Sequence, residues 1–169
     1  MWKYPYKTKP YEHQKNALSQ SAEKTEWAYF MEMGTGKTKV TIDNIAFLYL
    51  QRKINTVLII APKSVYTNWE SEIETHMPDV LKYKIYKWNI DKPKDYFKLT
   101  ESKDLKIFLI NVEALSTKRG YQACVEYLLK NKSNFVALDE STTIKNRSAK
   151  RTKNILSLSK VSHIKRILT

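Results

Sequence analysis

A glycine-rich loop at residues 31–38 constrains the fold of this chain more than any other segment. It reads Met-Glu-Met-Gly-Thr-Gly-Lys-Thr and holds two of the chain's three glycines. It lies between a short apolar run and a segment with helical apolar spacing, which is the setting of loops that bind phosphates through backbone N–H groups. We expect the loop and Lys37 to hold the β- and γ-phosphates of a nucleotide, and the Thr38 hydroxyl to ligate Mg²⁺. The predicted nucleotide-binding residues of the loop are Met33, Gly34, Thr35, Gly36, Lys37 and Thr38.

A second apolar run, far along the chain, ends in two carboxylates. Residues 135–140 read Phe-Val-Ala-Leu-Asp-Glu. We expect Asp139 to hold the same Mg²⁺ as Thr38, and Glu140 to orient and deprotonate a water, so that Glu140 and Lys37 are the predicted catalytic residues. The competing explanation is a chance Gly-Lys-Thr at a helix start, and the second motif argues against it.

The composition bounds the class of protein. The 169 residues carry a net charge of +13, from 30 Lys/Arg against 17 Asp/Glu. This charge favours a polyanionic partner, nucleic acid first, and the alternative is a lysine-rich solvated surface. Cys124 is the single cysteine, and its helical spacing with Tyr121 and Leu128 indicates a buried structural thiol. The sequence has no signal core and no membrane-spanning stretch, so we expect a cytoplasmic protein without a membrane partner.

Apolar strands and amphipathic helices alternate along the chain. Residues 1–10 are basic and aromatic, and we expect them to form an extended arm. Residues 91–104 are polar and lysine-rich and are expected to form a helix or a surface excursion. Helices are predicted over 11–23, 37–51, 64–76, 119–131 and 148–159, and strands over 27–31, 57–61, 82–88, 107–112, 135–138 and 164–168.

This alternation predicts an α/β fold with a mostly parallel central sheet. The strand at 57–61 is continuously apolar, and the strand at 107–112 is apolar except for Asn111, which indicates a sheet covered on both faces and therefore a three-layer domain. In such domains ligands bind at the carboxyl ends of the strands.

Several motifs in order resemble one family. The usual phosphate loop has glycine where Met31 stands, and the Swi/Snf-like branch of the superfamily-two helicases and translocases tolerates this change. Residues 57–72, Val-Leu-Ile-Ile-Ala-Pro-Lys-Ser-Val-Tyr-Thr-Asn-Trp-Glu-Ser-Glu, are similar to the next motif of that branch. The segments Ile-Asn-Val-Glu-Ala-Leu (110–115), Leu-Asp-Glu-Ser-Thr-Thr-Ile-Lys-Asn (138–146) and Arg-Ile-Leu-Thr (166–169) resemble later ones.

The resemblance implies that residues 1–169 form a single RecA-like ATP-binding lobe with P-loop chemistry. Its cofactors would be ATP and Mg²⁺, and its partner DNA, duplex or single-stranded, with RNA not excluded. A second RecA-like lobe, which would supply transition-state arginines, is absent from these residues, so we expect this chain alone to be inactive. The localisation implied is the cytoplasm of a bacterial or phage-infected cell.

The resemblance also implies roles for individual side chains. Gln14 would read adenine, and the alternative is a solvent-facing helical glutamine. Ser64 would contact a nucleic-acid backbone, act as a plain N-cap, or do both. Lys145 and Asn146 would contact a strand or form a basic loop. The predicted nucleic-acid contacts are Lys63, Ser64, Asn68, Lys145 and Asn146.

One departure and two alternatives remain open at this point. Thr142 stands where the family usually has histidine, which puts the coupling of the nucleotide and nucleic-acid sites in doubt. The alternative functions are a non-enzymatic single-lobe module that binds nucleic acid and an unrelated P-loop ATPase.

Overall fold

The structure is a computed structural model that describes residues 4–92 and 94–169. Within these residues six strands form one sheet, and every neighbouring pair is parallel. The strand order is β1-β6-β5-β2-β4-β3. The strands are β1 (Glu26–Tyr29), β2 (Thr56–Ala61), β3 (Tyr83–Lys87), β4 (Leu105–Asn111), β5 (Asn134–Asp139) and β6 (Ile164–Leu168).

Seven α-helices cover the two faces of this sheet in the described residues. They are α1 (Glu12–Ser21), α2 (Lys37–Leu50), α3 (Lys63–Tyr66), α4 (Asn68–His76), α5 (Tyr96–Thr100), α6 (Lys118–Leu129) and α7 (Lys150–Ser159). Short 3₁₀ helices follow β4 and β5, at Val112–Ser116 and Ser141–Ile144.

The alternation of side chains along β2 divides the core into two layers. All six residues of β2 are buried. Val57 and Ile59 pack with α1, α2 and α4, whereas Leu58 and Ile60 pack with α5, α6 and α7. A strand buried on both faces favours apolar residues on both of them, which explains the apolar run from Val57 to Ala61 in β2. The predicted three-layer α/β fold is confirmed, and its sheet is parallel throughout the described strands.

Several boundaries differ from the sequence prediction. The helix predicted over 64–76 is two helices separated by Thr67, which keeps helical dihedral angles (φ −70°, ψ −27°). Strand β1 ends at Tyr29, two residues before the predicted end, and β4 begins two residues before the predicted start. The chain leaves β4 at Asn111, because the Asn111 side chain accepts a hydrogen bond from the Ala114 N–H and starts a 3₁₀ turn.

The predicted arm is in close contact with the domain where it is described. Residues 1–3 and Pro93 of the polar excursion lie outside the described residues. Residues 4–10 contain no helix or strand, and Tyr4 is buried against the core. Cys124 is fully buried on α6, and burial raises the pKa of its thiol. No described helix has the length and apolar character that crossing a bilayer requires.

Candidate functional site: a phosphate cleft

A cleft of about 330 Å³ lies where the phosphate loop meets the end of β5. Strands β1 and β5 both pair with β6, so the segments that follow them emerge one strand apart at the same edge of the sheet. We call this the phosphate cleft. Its lining residues are Met33, Gly34, Gly36, Lys37, Thr38, Val65, Asn68, Trp69, Glu72, Asp139 and Glu140.

Two glycines give the loop its shape. Gly34 and Gly36 have φ of 79° and 86°, in the left-handed region that residues with a Cβ rarely adopt. Gly36 is also the N-cap of α2, and a Cβ there would lie 2.3 Å from Gln14 Nε2. Position 36 therefore requires glycine for its backbone angle and for the space beside Gln14.

Lys37 lies across the start of the loop. Its ammonium group donates to the carbonyl oxygens of Met31, at 2.8 Å, and Glu32, at 3.2 Å. The loop is closed on itself by the Thr35 hydroxyl, which donates to the Glu32 carbonyl oxygen at 2.6 Å. These bonds use backbone carbonyls, so a phosphate group can replace them without breaking an ion pair.

Gln14 ties helix α1 to the loop. Its side chain is 5% exposed, so the solvent-facing alternative is wrong. Its Nε2 donates to the Thr35 carbonyl oxygen and its Oε1 accepts from the Tyr11 N–H, both at 3.0 Å. The Gln14 amide thus links the start of α1 to the phosphate loop. Its contact with adenine stays a prediction.

The carboxylate of Asp139 is partly buried in the cleft wall and accepts hydrogen bonds there. Burial raises the pKa of its carboxyl group, while a hydrogen bond from Trp69, one from the Glu140 backbone and the charge of Lys37 act in the opposite direction. The Trp69 indole N–H donates to Asp139 Oδ2 at 3.0 Å. The next residue, Glu140, has left-handed dihedral angles (φ 56°, ψ 68°), which are strained for a residue with a Cβ.

The family model of the SNF2-related domain matches residues 27–169. The chain belongs to the SNF2-related domain family. This confirms the Swi/Snf-like resemblance, and the unrelated P-loop ATPase is the wrong alternative.

Curated relatives of this SNF2-related domain carry ATP-dependent activities in their names. An uncharacterized ATP-dependent helicase of Mycoplasma pneumoniae is 32% identical over 123 residues, which is 72% of this chain and 11% of the relative. The chromatin-remodeling ATPase INO80 of Saccharomyces cerevisiae (strain YJM789) is 33% identical over 130 residues, 75% of this chain and 9% of the relative. The chain thus spans about a tenth of the length of the curated relatives it matches.

A solved structure supports the fold of the domain. The Sulfolobus solfataricus SWI2/SNF2 ATPase core in complex with dsDNA has a TM-score of 0.73 and 21% identity. It covers all of this chain, which corresponds to 33% of that core. The predicted RecA-like architecture is therefore confirmed.

The predicted nucleic-acid residues of the SNF2-related domain do not all lie together. Lys63 and Ser64 are exposed in the first turn of α3, and Pro62 holds the N-cap position, so the plain N-cap alternative for Ser64 is wrong. Asn68 lines the phosphate cleft. Lys145 and Asn146 are exposed after the second 3₁₀ helix, and Asn146 Oδ1 accepts from the Ser148 N–H and hydroxyl.

Three residues of the cleft were missed by sequence reasoning. Trp69 packs in the core at 2% exposure, and its bond to Asp139 was not predicted. Val65 and Glu72 also line the cleft. The spacing of Trp69 and Ile73 identifies the buried face of α4, but no local pattern identifies which acceptor the indole N–H reaches.

Proposed function

We propose that this chain is the first RecA-like, ATP-binding lobe of an ATP-dependent DNA helicase or translocase that couples ATP hydrolysis to movement on DNA. The observation that carries the proposal is the meeting of the glycine loop with Asp139 and Glu140 in one cleft of an SNF2-related domain. Phosphate-binding and metal-binding groups are both needed for ATP hydrolysis. These residues, far apart in sequence, line one cleft, which supports the proposal.

The cleft residues fit a magnesium nucleotide. The Thr38 hydroxyl and the Asp139 carboxylate line the same cleft, and both offer the oxygen ligands that Mg²⁺ prefers. Bound Mg²⁺ would supply positive charge to the phosphates. Lys37 and the loop N–H groups would hold the β- and γ-phosphates, and Glu140 would orient the attacking water and accept its proton.

The arginines that stabilise the transition state would come from a second lobe. Among the described residues that line the cleft there is no arginine. Arg166 is 1% exposed, and its guanidinium donates to Asn44 Oδ1 and to the carbonyl oxygens of Ser21 and Lys24. It therefore holds β6 to α1 and α2. Since an arginine finger contributes about 10³–10⁵ in rate, the lobe alone should hydrolyse ATP negligibly.

DNA is the proposed polymer partner. The similar Sulfolobus solfataricus core has a structure with dsDNA, and this chain carries a net charge of +13. Lys63 and Lys145 are exposed in the segments that follow the carboxyl ends of β2 and β5. They therefore lie at the same end of the sheet as the cleft. They are the proposed backbone contacts together with Ser64 and Asn146.

The experiment measures both ligands on the same chain. We expect weak ATP binding with Mg²⁺ by calorimetry, no steady-state hydrolysis, and sequence-independent DNA binding by fluorescence anisotropy. If three phosphates are contacted, the DNA affinity falls roughly 40-fold between about 50 and 200 mM salt. Duplex DNA, single-stranded DNA and RNA of equal length distinguish the polymer.

Paired lysine variants locate the DNA contacts. The variant Lys63→Ala/Lys145→Ala should weaken DNA binding and reduce its salt dependence. The matched control Lys53→Ala/Lys132→Ala removes the same charge before β2 and β5, at the opposite edge of the sheet, and should leave the salt dependence unchanged. DNA-stimulated ATP turnover by this chain alone would contradict the two-lobe motor. If the whole protein bound ATP and DNA but showed no ATP-driven movement on DNA, the single-lobe module would be favoured.

A further inference from the structure

Trp69 contacts the acidic side of the cleft through a hydrogen bond to Asp139. It is one of the largest fully buried side chains of the domain, at 2% exposure, and it belongs to α4. Its indole N–H donates to Asp139 Oδ2 at 3.0 Å, across 70 residues of sequence. Because a buried indole N–H must find an acceptor, the pair fixes the position of both side chains.

The donor is neutral, which matters for the chemistry of the cleft. An ammonium group beside Asp139 would satisfy the carboxylate and offset its charge. Lys39 does this for Asp43 on α2, where the two groups lie 2.8 Å apart. An indole N–H orients one carboxylate oxygen and leaves the negative charge in place. Trp69 therefore adds no positive charge beside Asp139, and the cation that acts on this carboxyl group is Lys37, whose ammonium group bonds to backbone carbonyls.

We propose that Trp69 is a positioning residue for Asp139, which holds the carboxylate in the orientation that a nucleotide-bound divalent cation requires. This inference rests on the proposed function, since it takes Asp139 as a cation ligand. Residues that hydrogen-bond a ligating carboxylate set its direction, and their loss lowers metal affinity by about 10- to 100-fold. Trp69 also adjoins Asn68 in the cleft wall, so α4 brings both residues to the site.

The test separates positioning from packing. Trp69→Phe keeps an aromatic ring in the core and removes the N–H donor. Calorimetry with a non-hydrolysable ATP analogue is run with Mg²⁺ and with a chelator. We expect the gain in affinity that Mg²⁺ provides to fall about 10- to 100-fold in Trp69→Phe, with little change in the metal-free affinity.

A second tryptophan provides the control. Trp88 is 9% exposed and packs in the other core layer, so Trp88→Phe loses comparable volume away from Asp139. It should keep the Mg²⁺ dependence of the wild type. An unchanged Mg²⁺ dependence in Trp69→Phe, or an equal loss of affinity with and without Mg²⁺, would overturn the positioning role. If the wild type binds no nucleotide under either condition, the proposed function fails and this inference fails with it.

Indole NMR keeps the test independent of how well Trp69→Phe folds. The chain has four tryptophans, so the Trp69 Nε1–H signal can be assigned by elimination with Trp→Phe variants of the other three. Adding the analogue with Mg²⁺ should shift this signal more than adding the analogue alone, because the acceptor of the N–H is then bound to the cation. Equal shifts would contradict the inference.

Discussion

The phosphate cleft and the polar cluster beneath the N-terminal arm both adjoin α2, and they use similar residue types in opposite ways. The arm cluster consists of Tyr4, Thr8, Lys39, Asp43 and His76. In it, Lys39 bonds to Asp43 Oδ2 at 2.8 Å with both side chains buried, and the Tyr4 hydroxyl donates to Asp43 Oδ1 at 3.1 Å. In the cleft, two residues earlier on α2, Lys37 donates to backbone carbonyls instead.

The two regions differ in the source of the groups that offset their charged side chains. In the arm cluster the protein itself supplies them, because an unpaired buried charge would be costly. In the cleft, Gly34, Gly36 and Glu140 have left-handed backbone angles, and we propose that a nucleotide supplies the compensating groups there. We therefore expect substitutions in the arm cluster to reduce stability, and substitutions in the cleft to reduce ligand affinity.

The largest effect is expected for Asp43→Ala. Removing Asp43 leaves the Lys39 ammonium buried without its partner, which should lower the free energy of unfolding by about 3–5 kcal/mol in urea denaturation. Glu23→Ala is the matched control. It breaks the exposed Lys53–Glu23 pair, at the same 2.8 Å, and should leave the free energy of unfolding nearly unchanged. Equal losses for the two variants would contradict the contrast between buried and exposed pairs.

Lys37→Ala should show the reverse pattern. If its ammonium group compensates phosphate charge, as we propose, its loss should lower nucleotide affinity by about 2–5 kcal/mol, beyond detection for a weak ligand. Its stability should stay within about 0.5 kcal/mol of the wild type. Calorimetry and urea denaturation on the same preparation check both values. An unchanged nucleotide affinity would remove the phosphate-loop assignment.

The contrast between these regions also explains what the sequence could predict. The loop, β2 and β5 were predicted because their signals are local: two glycines before Lys37, and apolar runs with nothing polar to interrupt them. The bounds of β2 differ from the prediction by one residue. Local signals of this kind predicted the fold and the residues that line the cleft, while the chemistry of the cleft stays a prediction.

The arm cluster and the bond between Trp69 and Asp139 were beyond such reasoning. Lys39 and Asp43 are four residues apart, which suggests an ordinary pair on a helix surface. They are buried because Tyr4 and Tyr6 pack over them, from a segment without periodicity. Trp69 and Asp139 come from different elements, so their pairing depends on the packing of α4 beside β5.

His76 provides the smallest effect, and it tests the arm cluster through pH. Its Nδ1 lies 2.6 Å from the Thr8 hydroxyl, and its Nε2 lies 3.3 Å from Glu72 Oε2. Desolvation, followed by the charge of Lys39, lowers the pKa of His76 below its ordinary value, and the charges of Glu72 and Asp43 partly oppose this. The folded chain therefore accepts a proton on His76 less readily than the unfolded chain.

The sign of the pH dependence follows from this pKa. As the pH falls below the unfolded value of about 6.5, the unfolded state takes up the proton first, so stability is lost between that pH and the lower pKa of the folded state. The stability that neutral His76 contributes is fully present above about pH 6.5. We expect the difference in melting temperature between the wild type and His76→Gln to shrink or change sign from about pH 7.5 to pH 5.5. His163→Gln, at an exposed position, is the control for general effects of pH. A difference between wild type and His76→Gln that stays constant over this range would show that the arm cluster does not hold His76 in its neutral form.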